Sequence, residues 1–133
     1  MKVLLTGANG YIASVLKKNL VEPYLTLDLS GDVDIQDCIS SIRFYADQLE
    51  DITHVIHLAD ARLPAHGEAN SEELFLRQEK FIDALAGLPQ LRKVVFSSSC
   101  SVYGYSSSPV DELSAVSATS WYAKGKLRVE ERL

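Results

Sequence analysis

Val3-Leu4-Leu5 is a short apolar run that stops at a Gly/Asn cluster, the pattern of a buried strand running into a turn. From Tyr11 the period changes: Ile12, Val15, Leu16 and Leu20 recur at helical spacing through about Val21. Tyr24 to Asp28 predicts a second strand, entered past Pro23, and a very short third strand is expected around Val33, between Gly31 and Asp37. Asp37 is placed to cap a helix that turns Ile39, Ile42, Ala46 and Leu49 inward. His54 to Leu58 predicts the next strand. Leu74, Phe75, Phe81, Ile82 and Leu85 mark a long helix, Lys93 to Phe96 a further strand, and Trp121 to Leu133 a closing helix. Strands alternating with helices imply βαβ units with right-handed crossovers, hence an α/β fold with a doubly wound parallel sheet over residues 1–133. Glu130-Glu131-Arg132-Leu133 carry no capping signal, Gly or Pro, so the pattern predicts a C-terminally truncated domain that stops inside a helix.

Two places in this pattern carry chemistry. Thr6-Gly7-Ala8-Asn9-Gly10-Tyr11-Ile12-Ala13 links the first strand to the first helix. Gly7 permits a tight turn, and Gly10 lets backbone N–H groups approach a pyrophosphate at a helix N-terminus. Ala13 is small enough for the helix to pack closely on the strand. Asp28 ends the second strand, where an acid can accept hydrogen bonds from a ribose diol and would repel a 2′-phosphate. Strand, turn, helix and acid in register point to a dinucleotide, NAD rather than NADP.

The second place lies nearer the C-terminus. Residues 97–120 hold ten serines, the composition of a surface loop, yet the first of them stand at a strand's C-terminal end, where open α/β sheets bind ligands. Tyr122 and Lys126 are four apart on the closing helix and share a face. An ammonium beside a phenol favours the phenolate, making Tyr122 a candidate base, and Ser99 could hold a substrate hydroxyl in line with it. Taken alone, such a pair is more often surface packing.

Composition removes other classes. The 133 residues carry 18 acidic and 13 basic side chains, a net charge of −5, and the basic residues run no longer than the pairs Lys17-Lys18 and Arg92-Lys93. A nucleic-acid partner is not expected. Cys38 and Cys100 show neither CxxC nor Cys/His spacing, and His54, His57 and His66 are scattered, so no metal site is expected. His57, in a buried strand, reads as a packed neutral histidine. The N-terminus turns polar after five residues and no apolar run approaches the length of a membrane span. A cytoplasmic protein without a membrane partner is the expectation.

With these motifs in order, the sequence resembles the NAD-dependent epimerase/dehydratases, the extended branch of the short-chain dehydrogenase/reductases, over the N-terminal half of a typical member. TGANGYIA resembles the family's TGxxGxxG/A turn, VIHLAD at 55–60 its VIHLAA strand, VVFSSSCSVYG at 94–104 its serine motif, PVDE at 109–112 the segment after it, and YAKGKLRVE at 122–130 its YxxxK helix. The resemblance implies a Rossmann-like fold and a cofactor site containing Gly7, Asn9, Gly10, Tyr11, Ile12, Asp28, Leu58, Tyr122 and Lys126. It implies Tyr122 as acid/base, Lys126 on the nicotinamide ribose and Ser99 as the group orienting the substrate. A nucleotide-sugar substrate and a homodimer are the partners it suggests. Cys100 and Ser101 stand where the family's 4,6-dehydratases carry an Asp-Glu pair, which leaves epimerisation or reduction. SSSCSVYG is most similar to UDP-glucose 4-epimerases, whereas the short link Leu29–Asp32 and the stretch Asp34-Ile35-Gln36-Asp37 resemble dTDP-4-dehydrorhamnose reductases.

Besides that short link, where epimerases usually insert a helix, the chain departs from the family pattern in three further places. Asp60 replaces an alanine near the expected path of the cofactor phosphates, where its charge would be unfavourable. Leu-Phe-Leu-Arg-Gln at 74–78 stands where an Asn-Val-x-Gly-Thr helix start is usual, and the Pro usual shortly before the Tyr is missing, with Ala118-Thr119-Ser120-Trp121 there. A non-enzymatic dinucleotide-binding or sensor module, or a degenerate remnant of the enzyme, are the alternatives.

Overall fold

The computed structural model describes residues 1–28, 49–60 and 71–133. Its elements are β1 (Val3–Thr6), α1 (Tyr11–Asn19), β2 (Tyr24–Leu27), β3 (His54–His57), α2 (Ser71–Ala86), β4 (Lys93–Phe96), a 3₁₀ turn (Cys100–Tyr103) and α3 (Trp121–Arg132). The strand expected around Val33 and the helix begun at Asp37 lie outside the described residues, apart from Leu49, which is buried.

The four strands form one parallel sheet in the order β2-β1-β3-β4. Val3 stands opposite both Tyr24 and His54, and His54 opposite Lys93, so the strands begin and end together. Side chains alternate across the pleat. Leu5 and Ile56 face one side, where they meet Ala13 and Leu16 of α1. Leu4 and Val55 face the other side, where Phe81, Ile82 and Leu85 of α2 and Val129 of α3 close the larger core. Helices thus cover both faces, and the sheet is doubly wound as the alternation of elements predicts.

The apolar stripe expected on α1 is only partly the buried one. Ala13 is fully buried, whereas Ile12 and Val15 are 60% and 46% exposed. Ala13 and Leu16 form the helix's inner flank, and Ile12 and Val15 are left on the outer one. On the opposite layer, α3 is capped by Ser120, whose hydroxyl accepts the Ala123 N–H at 3.1 Å. Gly125 brings α3 against α2, since a Cβ there would lie 2.5 Å from the Phe75 ring. Arg128 bonds to Glu72 and Glu79, and Arg132 to Asp83, so the same two helices are also tied by charge along their outer edge.

Candidate functional site

β1 lies between β2 and β3, and the chain leaves it first to one side and then to the other. The crevice where such a sheet binds ligands therefore opens at the C-terminal ends of β1 and β3. Gly7 forms its floor. Its φ of 69° lies in the left-handed region, and a Cβ would stand 2.6 Å from the Ala59 nitrogen and 2.8 Å from the Leu58 carbonyl carbon. Two independent constraints thus require glycine at this position. The Gly7 N–H donates to the Leu27 carbonyl at 3.0 Å, and the Gly10 N–H donates to the Gly7 carbonyl at 3.0 Å. Gly10 is the extended N-cap of α1, with no side-chain cap. The first N–H groups of the helix, beginning at the exposed Tyr11 and Ile12, therefore have no partner within the helix and sit at its positive end. Asp28 follows β2 and accepts the backbone N–H of Asn9, and Leu58 is half-buried under α1. Gly7, Asn9, Gly10, Tyr11, Ile12, Asp28 and Leu58 are thus gathered around the ends of three adjacent strands.

Lys126 approaches this crevice from α3. It is 5% exposed, and its Nζ donates to the Ser97 carbonyl at 2.8 Å and lies 3.0 Å from Asp60 Oδ2. The ammonium stands 4.7 Å from the centre of the Phe96 ring and 5.6 Å from that of Tyr122. Asp60 Oδ1 also accepts a long bond, 3.4 Å, from Gln78 Nε2 on α2. Asp60 was expected to oppose cofactor phosphates; here its carboxylate partners the lysine.

Behind Lys126 is His57, 3% exposed, its ring 5.2 Å from Phe81 and 5.6 Å from Phe96. Its Nδ1 shares a hydrogen bond of 2.6 Å with the Thr6 hydroxyl, which also accepts the Ala59 N–H at 3.3 Å. Burial, and then the neighbouring Lys126 charge, push the imidazole from 6.5 down to about 4. His57 is the packed neutral histidine expected from the sequence.

Ser99 stands at the mouth of the serine loop as the cap of the 3₁₀ turn. Its Oγ accepts the Ser101 N–H at 3.2 Å and donates to Ser101 Oγ at 3.0 Å. Ser98 bonds to Glu130 of α3, so two successive serine-loop residues, Ser97 and Ser98, are anchored to the helix bearing Tyr122 and Lys126. Tyr122 is 40% exposed, and among the described residues no hydrogen bond joins its hydroxyl to Ser99 or Lys126. The structure thus places Tyr122 and Lys126 on one helix face beside the crevice and holds Ser99 through its neighbours. Sequence reasoning missed the Asp60–Lys126 pair, Gln78 and the Ser97 carbonyl. The only signal was a carboxylate three residues past a strand, on the segment that abuts the glycine turn.

Among the described residues no group of His, Cys, Asp and Glu side chains is arranged to hold a metal, and no helix is long and apolar enough to cross a membrane. No curated protein matches the chain significantly. Solved structures do. UDP-glucose-4-epimerase from Stenotrophomonas maltophila, with bound NAD and formylated UDP-arabinopyranose, aligns at TM-score 0.76 and 23% identity, over 98% of this chain and 47% of that one. UDP-glucuronic acid 4-epimerase from Bacillus cereus, in complex with NAD, aligns at 0.70 and 24%, over 99% and 51%. A dTDP-4-dehydrorhamnose reductase from Clostridium acetobutylicum aligns at 0.76 and 23%, over 99% and 48%. These likenesses establish the fold, and the chain spans about half the length of the structures it matches. A family model matches residues 3–133, and the chain belongs to the NAD dependent epimerase/dehydratase family.

Proposed function

We propose that the chain binds NAD in the crevice between β1 and β3 and supplies Ser99, Tyr122 and Lys126 to the epimerisation or reduction of a nucleotide-sugar. The observation that carries this reading is the uncapped N-terminus of α1 above Gly7, whose missing Cβ leaves room at the floor of the crevice. The residues fit a dinucleotide: free helix N–H groups suit a pyrophosphate, and Asp28, anchored by the Asn9 N–H, suits a ribose diol and disfavours a 2′-phosphate. When bound, NAD supplies the hydride acceptor for a sugar carbinol carbon.

The protein's own groups do the rest. Tyr122 Oη takes or returns the hydroxyl proton, and its 40% exposure leaves it open to a substrate. Lys126 holds the nicotinamide ribose. Ser99 Oγ orients the substrate hydroxyl by exchanging its present bond to Ser101. The matched structures are about twice as long as this chain, so the proposed reaction includes a substrate pocket that residues 1–133 need not build alone.

Titration with NADH and with NADPH, followed by the fluorescence of Trp121 next to Tyr122, tests the reading. Saturable quenching that is tighter for NADH supports it, and Asp28→Ala should erase the preference. A folded chain that responds to neither nucleotide overturns it. The Asp60 partner of Lys126 favours a second reading, a dinucleotide-binding module without turnover. Tyr122→Phe separates the two, because it abolishes turnover in an enzyme and changes nothing in a sensor.

A further inference from the structure

Asp60 differs from Asp28, the other carboxylate at the crevice, in being paired with the buried ammonium of Lys126. It directly follows Ala59, whose backbone nitrogen lies within 2.6 Å of the place a Gly7 Cβ would occupy. The backbone that carries this carboxylate therefore abuts the glycine turn over which a pyrophosphate would sit. The carboxylate is not idle. Oδ2 sits 3.0 Å from Lys126 Nζ and Oδ1 faces Gln78 Nε2, so one side chain at the end of β3 links α3 and α2. Lys126, with its second bond given to the Ser97 carbonyl, keeps one ammonium proton uncommitted among these partners.

We propose that Asp60 is a positioning residue that latches Lys126 in the free protein and weakens dinucleotide binding. The proposal rests on the NAD reading of the crevice. With Asp60 in place the lysine and the carboxylate form a dipole, whose field at a neighbouring anion falls off faster than that of a lone ammonium. The carboxylate also repels the phosphates directly. Removing the charge leaves the Lys126 ammonium uncompensated and turns the local field towards anion binding.

Asp60→Asn tests this while preserving shape and hydrogen-bonding capacity. In the purified chain its NADH affinity, read by Trp121 quenching, should rise at least tenfold, about 1.4 kcal/mol. The gain should shrink as salt is added, because the term removed is Coulombic. The thermal midpoint of the ligand-free variant should meanwhile fall, since Lys126 loses its counter-charge. A purely structural role moves stability alone or moves both quantities downward; opposite signs are the signature of a latch. Asp60→Ser, which removes the charge with a smaller polar side chain, must move in the same directions.

Native binding with equal or weaker binding in both variants overturns the latch and leaves the NAD reading intact. Binding only after the charge is removed supports the latch in its strongest form. Loss of folding in both variants assigns Asp60 to stability alone and also overturns the latch. Folded native and variant chains that all ignore NADH overturn the NAD reading, and the latch falls with it.

Discussion

Among the described residues, mild acid should destabilise the protein chiefly through His57. In the folded chain burial and the Lys126 charge hold this imidazole at about 4, against 6.5 in the absence of those effects. Between these values the unfolded chain binds a proton that the folded chain refuses, so stability rises with pH across the window. The contribution is complete above about 6.5 and is lost as the pH falls towards 4. Its full size is about 3 kcal/mol, of which roughly 2 kcal/mol is lost between pH 7.5 and pH 5. Asp83 and Asp111, whose carboxyls are held below the ordinary 3.8 by bonds from Arg132 and Ser114 respectively, weaken the fold only at lower pH. Urea unfolding of the native chain and of His57→Gln at the two pH values isolates the effect. Glutamine can still bond to Thr6 but does not titrate. The native chain should lose about 2 kcal/mol more than the variant on acidification. Equal losses in the two proteins would refute a buried neutral His57.

Three further substitutions test the elements that build the crevice. Gly7→Ala adds a left-handed penalty of about 1–2 kcal/mol to a clash with Ala59, so both urea stability and NADH binding should fall. Gly125→Ala should lower stability by about 1–3 kcal/mol despite alanine's better helix propensity, because its methyl meets the buried Phe75 ring; equal or higher stability would show that the helices separate freely. Ser120→Ala removes the cap of α3 and should cost about 1 kcal/mol in a urea melt, leaving NADH affinity unchanged.

The elements were legible because local signals and burial agree. β1, β3 and β4 each match an apolar run, and the turn after β1 announces itself through two glycines at a fixed offset. The buried flank of α1 was less legible, since periodicity counts apolar residues and cannot tell that Ala13, rather than Ile12 or Val15, touches the sheet. That choice depends on how near the helix lies. The Tyr122 and Lys126 face followed from helical spacing alone, but the direction in which Lys126 spends its charge did not. Its counter-charge comes from a residue 66 positions earlier in the chain, and no local pattern encodes a pair at that separation.

That partner also shows why the end of β3 organises the site. His57 binds Thr6 of β1, Ala59 abuts Gly7 of the turn, and Asp60 meets Lys126 of α3 and Gln78 of α2. Within four consecutive residues the strand engages the neighbouring strand, the glycine turn and both helices of one layer. The Phe96 ring supports His57 on one contact and the Lys126 ammonium on another, so the neutral histidine and the charged lysine share a wall. Protonating His57 would place a second cation beside Lys126 in a buried setting, and the charge of Lys126 is already one reason the imidazole stays neutral. Asp60 is the one carboxylate paired with that lysine among the described residues. Removing its charge should therefore depress His57 further, and Lys126→Met should move it back towards 6.5. An NMR titration of the His57 ring in the two variants checks this, and shifts of the same sign would contradict a shared electrostatic wall.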